Sequence, residues 1–311
     1  MLSRILLWGI VWVACCEPVM AQRNYPPNLE GAKPYVYKTA GDTKLSLWVY
    51  SPDQPGEKQP AIVFFFGGGW TSGTPEQFEQ QCRYLASRGM VAITADYRVS
   101  SRNKTKAVDA VRDAKSAVRW VRSHAAELKI DPDRIVAAGG SAGGHLAACT
   151  GTLKEFDEPQ EDQTVSSRPN ALVLFNPAVS FRAKPDEAEA QKQLKQLPSR
   201  LGTEPSQLSP IEHISDQTPP ALILIGTKDF LISGNREFAA AMKATGRQCE
   251  LDLYEGREHG FFNYGRGDSK DFLTTTKSMD LFLTKLGYLK GPPMVDSFFD
   301  ASSGIKTPAG R

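Results

Sequence analysis

The sequence predicts an α/β fold: a mostly parallel, doubly wound sheet of eight strands, with an antiparallel N-terminal edge and a small cap insertion. Three observations predict it. Short, continuous apolar runs recur along the chain, as expected of strands covered on both faces. Helical patterns near a 3.6-residue period lie between those runs. Alternation of this kind places successive strands parallel, each joined to the next by a crossover helix.

The first two strands read as Tyr35–Thr39 and Lys44–Tyr50, folded back around Gly41-Asp42, a hairpin signal. The buried series follows: Ala61–Phe66, Met90–Ala95, Arg134–Ala138, Ala171–Phe175, Ala221–Ile225 and Glu250–Tyr254. Helices are expected over Thr105–Leu128, Gly143–Leu153, Asn235–Thr245 and Phe272–Lys285. In the first of them Val108, Val111, Ala114, Val118 and Val121 make one apolar stripe. The segment from Asn176 to Pro220 interrupts the alternation with a polar, proline-marked insertion and a charged helix around Asp186–Leu197. It lies between two strands, where loops collect function, so it is read as a cap over about 177–220. The tail from Gly291 to Arg311 is rich in Gly, Pro and Ser and is expected to pack loosely or be disordered.

Residues 1–21 read as a secretory leader, with Arg4, an apolar stretch from Ile5 to Ala14, and a small-residue cleavage site at Val19-Met20-Ala21. The expected locale is therefore secreted or periplasmic, with a lipid anchor at Cys15 or Cys16 as the alternative. The α/β domain would span 22–290. Three cysteines remain beyond the leader, Cys82, Cys149 and Cys249. Cys82 and Cys149 are read as helical, and Cys249 as opening a strand. All three are read as small buried hydrophobes, with one disulfide left open. A net charge of +2 gives no reason to expect nucleic acid or an anionic membrane. No segment has the length of apolar run that spans a bilayer. Nothing has metal-ligand spacing, and no cofactor is expected.

The chemistry begins at Gly139-Gly140-Ser141-Ala142-Gly143, between an apolar strand and a helix. A serine on such a turn points its hydroxyl out of the sheet. Serine needs a base to take its proton. Of the four histidines, His124 reads as a solvated helix position and His145, one turn past the serine, as structural. His213 falls in the cap. His259 follows the last strand and is the expected base. Asp229, thirty residues earlier and just after a strand, is the expected acid, ahead of Glu255 and Glu258. The order serine, acid, histidine suits a catalytic triad. Phe66-Gly67-Gly68-Gly69-Trp70 leaves a strand at the same edge, and its backbone N–H groups, with that of Ala142, are expected to hold an oxyanion.

These pieces resemble the α/β-hydrolase superfamily. They look most like the hormone-sensitive-lipase-related esterases and the secreted feruloyl and acetyl esterase-like branch. The matching segments are Phe-Phe-Gly-Gly-Gly-Trp at 65–70, Asp96-Tyr97-Arg98, Asp131-Pro132-Asp133-Arg134-Ile135, Gly-Gly-Ser-Ala-Gly-Gly-His at 139–145, Gly226-Thr227-Lys228-Asp229 and His259-Gly260-Phe261-Phe262. The resemblance implies an oxyanion hole of Gly68, Gly69 and Ala142, and a secreted serine esterase acting on short-chain or aromatic acyl esters. It departs at Phe66, where the family motif carries a histidine that ties down the glycine loop. Phe66 is expected to hold that loop by packing. Trp70 is expected either to stack on a substrate ring or to support the loop. Phe261 and Phe262 are expected behind His259. The expected partner is a small-molecule or polysaccharide ester. A serine peptidase or amidase, and a non-catalytic binder, remain as alternatives.

Overall fold

In the computed structural model, which describes residues 25–53, 56, 58–182 and 197–303, the eight strands form one sheet. They are β1 (Lys33–Ala40), β2 (Thr43–Tyr50), β3 (Gln59–Phe65), β4 (Val91–Ala95), β5 (Ile130–Gly140), β6 (Ala171–Phe175), β7 (Ala221–Gly226) and β8 (Cys249–Tyr254). Their spatial order is β1-β2-β4-β3-β5-β6-β7-β8. β1 pairs antiparallel with β2, and β2 antiparallel with β4; every later pair is parallel.

The helices are α1 (Glu79–Ser87), α2 (Ser100–Asn103), α3 (Ala107–Ser123), α4 (Ala142–Thr152), α5 (Ile232–Ala244), α6 (Lys270–Lys285) and α7 (Val295–Ser303). The alternation of side chains along the strands feeds two cores. Ala61, Val63 and Phe65 of β3 pack with Val111, Leu146 and Phe238, from α3, α4 and α5. Ile62 and Phe64 face the opposite side, with Tyr84, Phe272 and Phe282 from α1 and α6. Continuous apolar runs were needed because both faces are covered.

The expected tail needs correction. Residues 295–303 form α7, and Val295 and Phe299, one turn apart, are buried in the second core. Phe299 packs on Phe272 with ring centroids 5.0 Å apart, and the Met294 N–H donates to the Tyr84 hydroxyl at 3.0 Å. Composition concealed this apolar pair. Residues 304–311 of the tail, the expected leader and residues 183–196, including most of the expected charged helix, lie outside the described residues. The described part of the insertion is pinned to the body through buried Leu201, Leu208 and Ile211. Cys82, Cys149 and Cys249 are all free thiols, so the disulfide left open does not form among them. No helix among the described residues is long and apolar enough to cross a membrane.

Because β3, β5, β6, β7 and β8 run parallel, their C-terminal ends share one edge of the sheet. The segments after them carry the glycine loop, Ser141, Asn176, Asp229 and His259.

Candidate active site

Ser141 sits between β5 and α4 with φ 54° and ψ −116°, a backbone state that costs a residue with a side chain about 1–3 kcal/mol. Its neighbours hold it there. Its N–H donates to the Phe175 carbonyl at 2.9 Å, and its carbonyl accepts the His145 N–H at 2.9 Å. The turn also demands close approach of backbones. A Cβ on Gly143 would lie 2.0 Å from the Phe65 carbonyl oxygen, so only glycine lets α4 begin this near β3.

His259 bridges the other two members. Its Nε2 lies 2.9 Å from Ser141 Oγ and its Nδ1 2.9 Å from Asp229 Oδ2. The Asp229 carboxylate is fully buried, whereas the His259 side chain is 27% exposed. A buried carboxylate only accepts, so it fixes the proton on Nδ1 and leaves the Nε2 lone pair facing the serine hydroxyl. The second Asp229 oxygen accepts the Leu231 N–H at 2.9 Å, which satisfies the buried charge and orients it. Glu255 and Glu258, the rival acids, make no contact with His259 among the described residues.

Asn176, at the end of β6, accepts the Gly260 N–H through Oδ1 at 3.0 Å, anchoring the histidine loop to the sheet. Phe261 and Phe262 are buried behind it.

The glycine loop lies against the serine. A Cβ built on Gly67 would stand 3.4 Å from Ser141 Cβ and 3.0 Å from the Gly140 carbonyl. Gly68 has φ +126°, and a side chain there would strike the Ser72 carbonyl at 2.1 Å. The Gly67 N–H is taken by Gln77 Oε1 at 2.6 Å. The Gly68 and Gly69 N–H groups have no protein acceptor among the described residues. Ala142 opens α4, where the first N–H groups lack intrahelical partners and the helix dipole favours negative charge. The glycine loop and the start of α4 thus flank the Ser141 turn.

Phe66 secures the loop without a histidine. Its buried ring stacks on Tyr97, with centroids 4.0 Å apart and 17° between planes. The Tyr97 hydroxyl donates to the Phe66 carbonyl at 2.7 Å. Next to Tyr97, Asp96 accepts the Tyr97 N–H at 2.8 Å and the Tyr25 hydroxyl, and burial pushes its carboxyl up to about 6.

A second tie went unread in the sequence. Gln77 Nε2 donates to Asn263 Oδ1 at 2.7 Å, and Asn263 Nδ2 donates to the Gly260 carbonyl at 2.8 Å. Through Gln77 and Asn263, the glycine loop and the histidine loop are one hydrogen-bonded unit.

Trp70 takes the supporting position. It is 8% exposed, and its Nε1–H donates to His145 Nδ1 at 3.2 Å. His145 Nε2 in turn meets the Leu208 carbonyl at 2.7 Å, which assigns the neutral tautomer with hydrogen on Nε2. Burial pulls the His145 imidazole down to about 4. His145 is therefore a strut between the glycine loop and the insertion. His124 stacks on Trp120, and His213 meets the Ser206 carbonyl at 3.0 Å. The aromatic ring beside the triad is instead Phe230, 76% exposed and 4.7 Å from the His259 ring. It follows Asp229 in the chain, but its exposure is a product of the loop geometry.

The strand order, the strained turn at Ser141 and the sequence order of Ser141, Asp229 and His259 define an α/β-hydrolase. The BD-FAE family model matches residues 47–240, more than half of the chain, and the chain belongs to that family. Among solved structures, it is similar to butyrate-bound esterase 2 of Thermogutta terrifontis (49% identical, covering 87% of this chain and 100% of that one, TM-score 0.82). The sarin-phosphonylated form of that esterase matches likewise (48% identical, 86% and 99% covered, TM-score 0.82). Among curated relatives are a probable isoprenylcysteine alpha-carbonyl methylesterase of Arabidopsis thaliana (29% identical over 73% of this chain) and an acetylxylan esterase of Xylanibacter ruminicola (28% over 84%). The chain spans about half the length of these two relatives, 51% of each.

Proposed function

We propose that the protein is a serine esterase that hydrolyses carboxylic esters through an acyl-enzyme. One observation carries the reading: His259 stands 2.9 Å from Ser141 Oγ on one side and 2.9 Å from Asp229 on the other. His259 Nε2 takes the Ser141 proton as Oγ attacks the ester carbonyl. The negative oxygen of the tetrahedral adduct meets the Gly68, Gly69 and Ala142 N–H groups. Collapse breaks the ester bond, and the imidazolium returns its proton to the departing alcohol. Water then repeats the sequence, its proton passing to His259 and its oxygen to the acyl carbon, and releases the acid and Ser141. Asp229 stabilises the imidazolium in both halves.

The favoured substrates are short-chain or aromatic acyl esters, with acetyl or feruloyl groups on polysaccharide as the natural form. The exposed Phe230 ring supports an acyl or aromatic group beside His259. The acetylxylan esterase among the relatives supports a glycan carrier. Export, cleavage after Ala21 and a periplasmic or extracellular site of action belong to the same proposal, resting on the leader-like residues 1–21. A panel of p-nitrophenyl acetate, acetylated xylan, feruloyl esters and peptide amides tests the reading. Turnover of the esters, lost in Ser141→Ala, is expected; preference for amides, or undiminished ester turnover in the variant, would overturn it.

A further inference from the structure

A cleft of about 200 Å³ opens against the glycine loop, walled by Gly69, Trp70, Thr105, Lys106, Ser199 and Arg200 among others. Gly69 is one of the expected oxyanion donors and Gly67, two residues before it, abuts Ser141, so the cleft and the reacting centre share the glycine loop. Arg200 donates from Nη2 to the Gly69 carbonyl at 3.1 Å, and its guanidinium sits 5.8 Å from the Trp70 ring. Among the described residues that contact uses one of its five donors. Lys106 and Arg200 have no carboxylate partner among the described residues. Elsewhere Arg88, Arg98, Arg119, Arg182 and Arg257 each meet an Asp or Glu. The Thr105 hydroxyl is buried without a hydrogen-bond partner among the described residues. Among the described residues no acidic side chain lines the cleft.

A guanidinium, an ammonium group and hydroxyls around one space of single-sugar size are the complement of a carboxylate on a hydroxyl-rich ring. We propose that this cleft is a subsite for a uronic acid residue of the carrier, so that the substrates are acyl esters of acidic glycans. The inference deepens the esterase reading and rests on it. Lys106 and Arg200 would hold the carboxylate, and the hydroxyl lining, Thr105 included, would meet the sugar.

Two measurements test it. The first is release of acetate from O-acetylated glucuronic acid against its primary amide, which removes the charge and adds no second ester. The wild type should favour the free acid by about tenfold in kcat/KM, mainly through KM, with the preference shrinking as salt is raised. Lys106→Gln and Arg200→Gln should each reduce that preference severalfold. The second is calorimetric binding of glucuronate, glucose and glucose 6-sulfate to Ser141→Ala, which needs no turnover. Glucuronate should bind and glucose should not. Equal kcat/KM for acid and amide, a preference preserved in both variants, or tighter binding of the sulfate would each overturn the assignment. Failure of the wild type to hydrolyse p-nitrophenyl acetate would instead remove the esterase reading, leaving the binding measurement to judge the cleft by itself.

Discussion

Gln77→Leu removes the clasp between the glycine loop and the histidine loop while keeping much of the side-chain volume. Two hydrogen bonds are lost, one of 2.6 Å from the Gly67 N–H and one of 2.7 Å to Asn263. At about 1 kcal/mol net for each, with a further penalty for the Gly67 N–H left beside an apolar side chain, stability should fall by about 2–3 kcal/mol. For a chain of this size that is roughly 3–5 °C in Tm. The effect on turnover should be larger in proportion. Gly67 abuts Ser141, and the next two residues supply the expected oxyanion donors, so a loop displaced by less than 1 Å weakens contacts made chiefly in the transition state. A fall in kcat of about 30–100-fold is expected, with KM nearly unchanged. Gln77→Glu keeps an acceptor for Gly67 and loses the donor to Asn263, so it should fall between wild type and Gln77→Leu. Steady-state kinetics on p-nitrophenyl acetate, with thermal unfolding of the same preparations, measures both effects. A folded Gln77→Leu enzyme with kcat within twofold of wild type would refute the coupling of the two loops.

Other substitutions test the supports around the site. Phe66→Ala removes a fully buried ring stacked on Tyr97, which should cost about 3–5 kcal/mol in denaturant unfolding; a loss below 1 kcal/mol would mean that packing does not hold the loop. His145 gives a pH effect whose sign follows from its burial. The unfolded imidazole takes its proton near 6.5 and the folded one only near 4, so between those values the unfolded chain binds more protons. The stabilising contribution is complete above 6.5 and is lost as pH falls toward 4, about 2 kcal/mol of it by pH 5. His145→Gln can keep both hydrogen bonds and does not titrate. The stability difference between wild type and this variant should therefore shift by about 2 kcal/mol between pH 7.5 and pH 5, and a constant difference would contradict the buried neutral histidine.

The sheet was legible because each buried strand is an unbroken apolar run, and burial on both faces leaves no other pattern. Ser141 and Asp229 were legible because each follows such a run within a few residues; His259 follows the half-buried edge strand β8, where Leu251 and Leu253 alternate with acids, and parallel strands bring all three ends together. Gln77 and Asn263 were not. They lie 186 residues apart, neither belongs to a recurrent motif, and their contact exists only once the sheet places the loops after β3 and β8 side by side. Trp70 shows a different limit. Its position beside the glycines was plain, but its direction depends on His145, which accepts its N–H from α4. Phe230 followed an expected acid and attracted no notice, because exposure is set by the turn and not by the residue. The C-terminal helix failed for a compositional reason: two apolar residues one turn apart outweighed the glycines and prolines around them.

The central claim is that Ser141 is a nucleophile activated by His259. A fluorophosphonate probe followed by peptide mapping tests it most directly. The account predicts a single covalent adduct on Ser141, with labelling lost in Ser141→Ala and slowed by orders of magnitude in His259→Ala. No adduct, an adduct on another residue, or labelling that is unaffected in His259→Ala would contradict it.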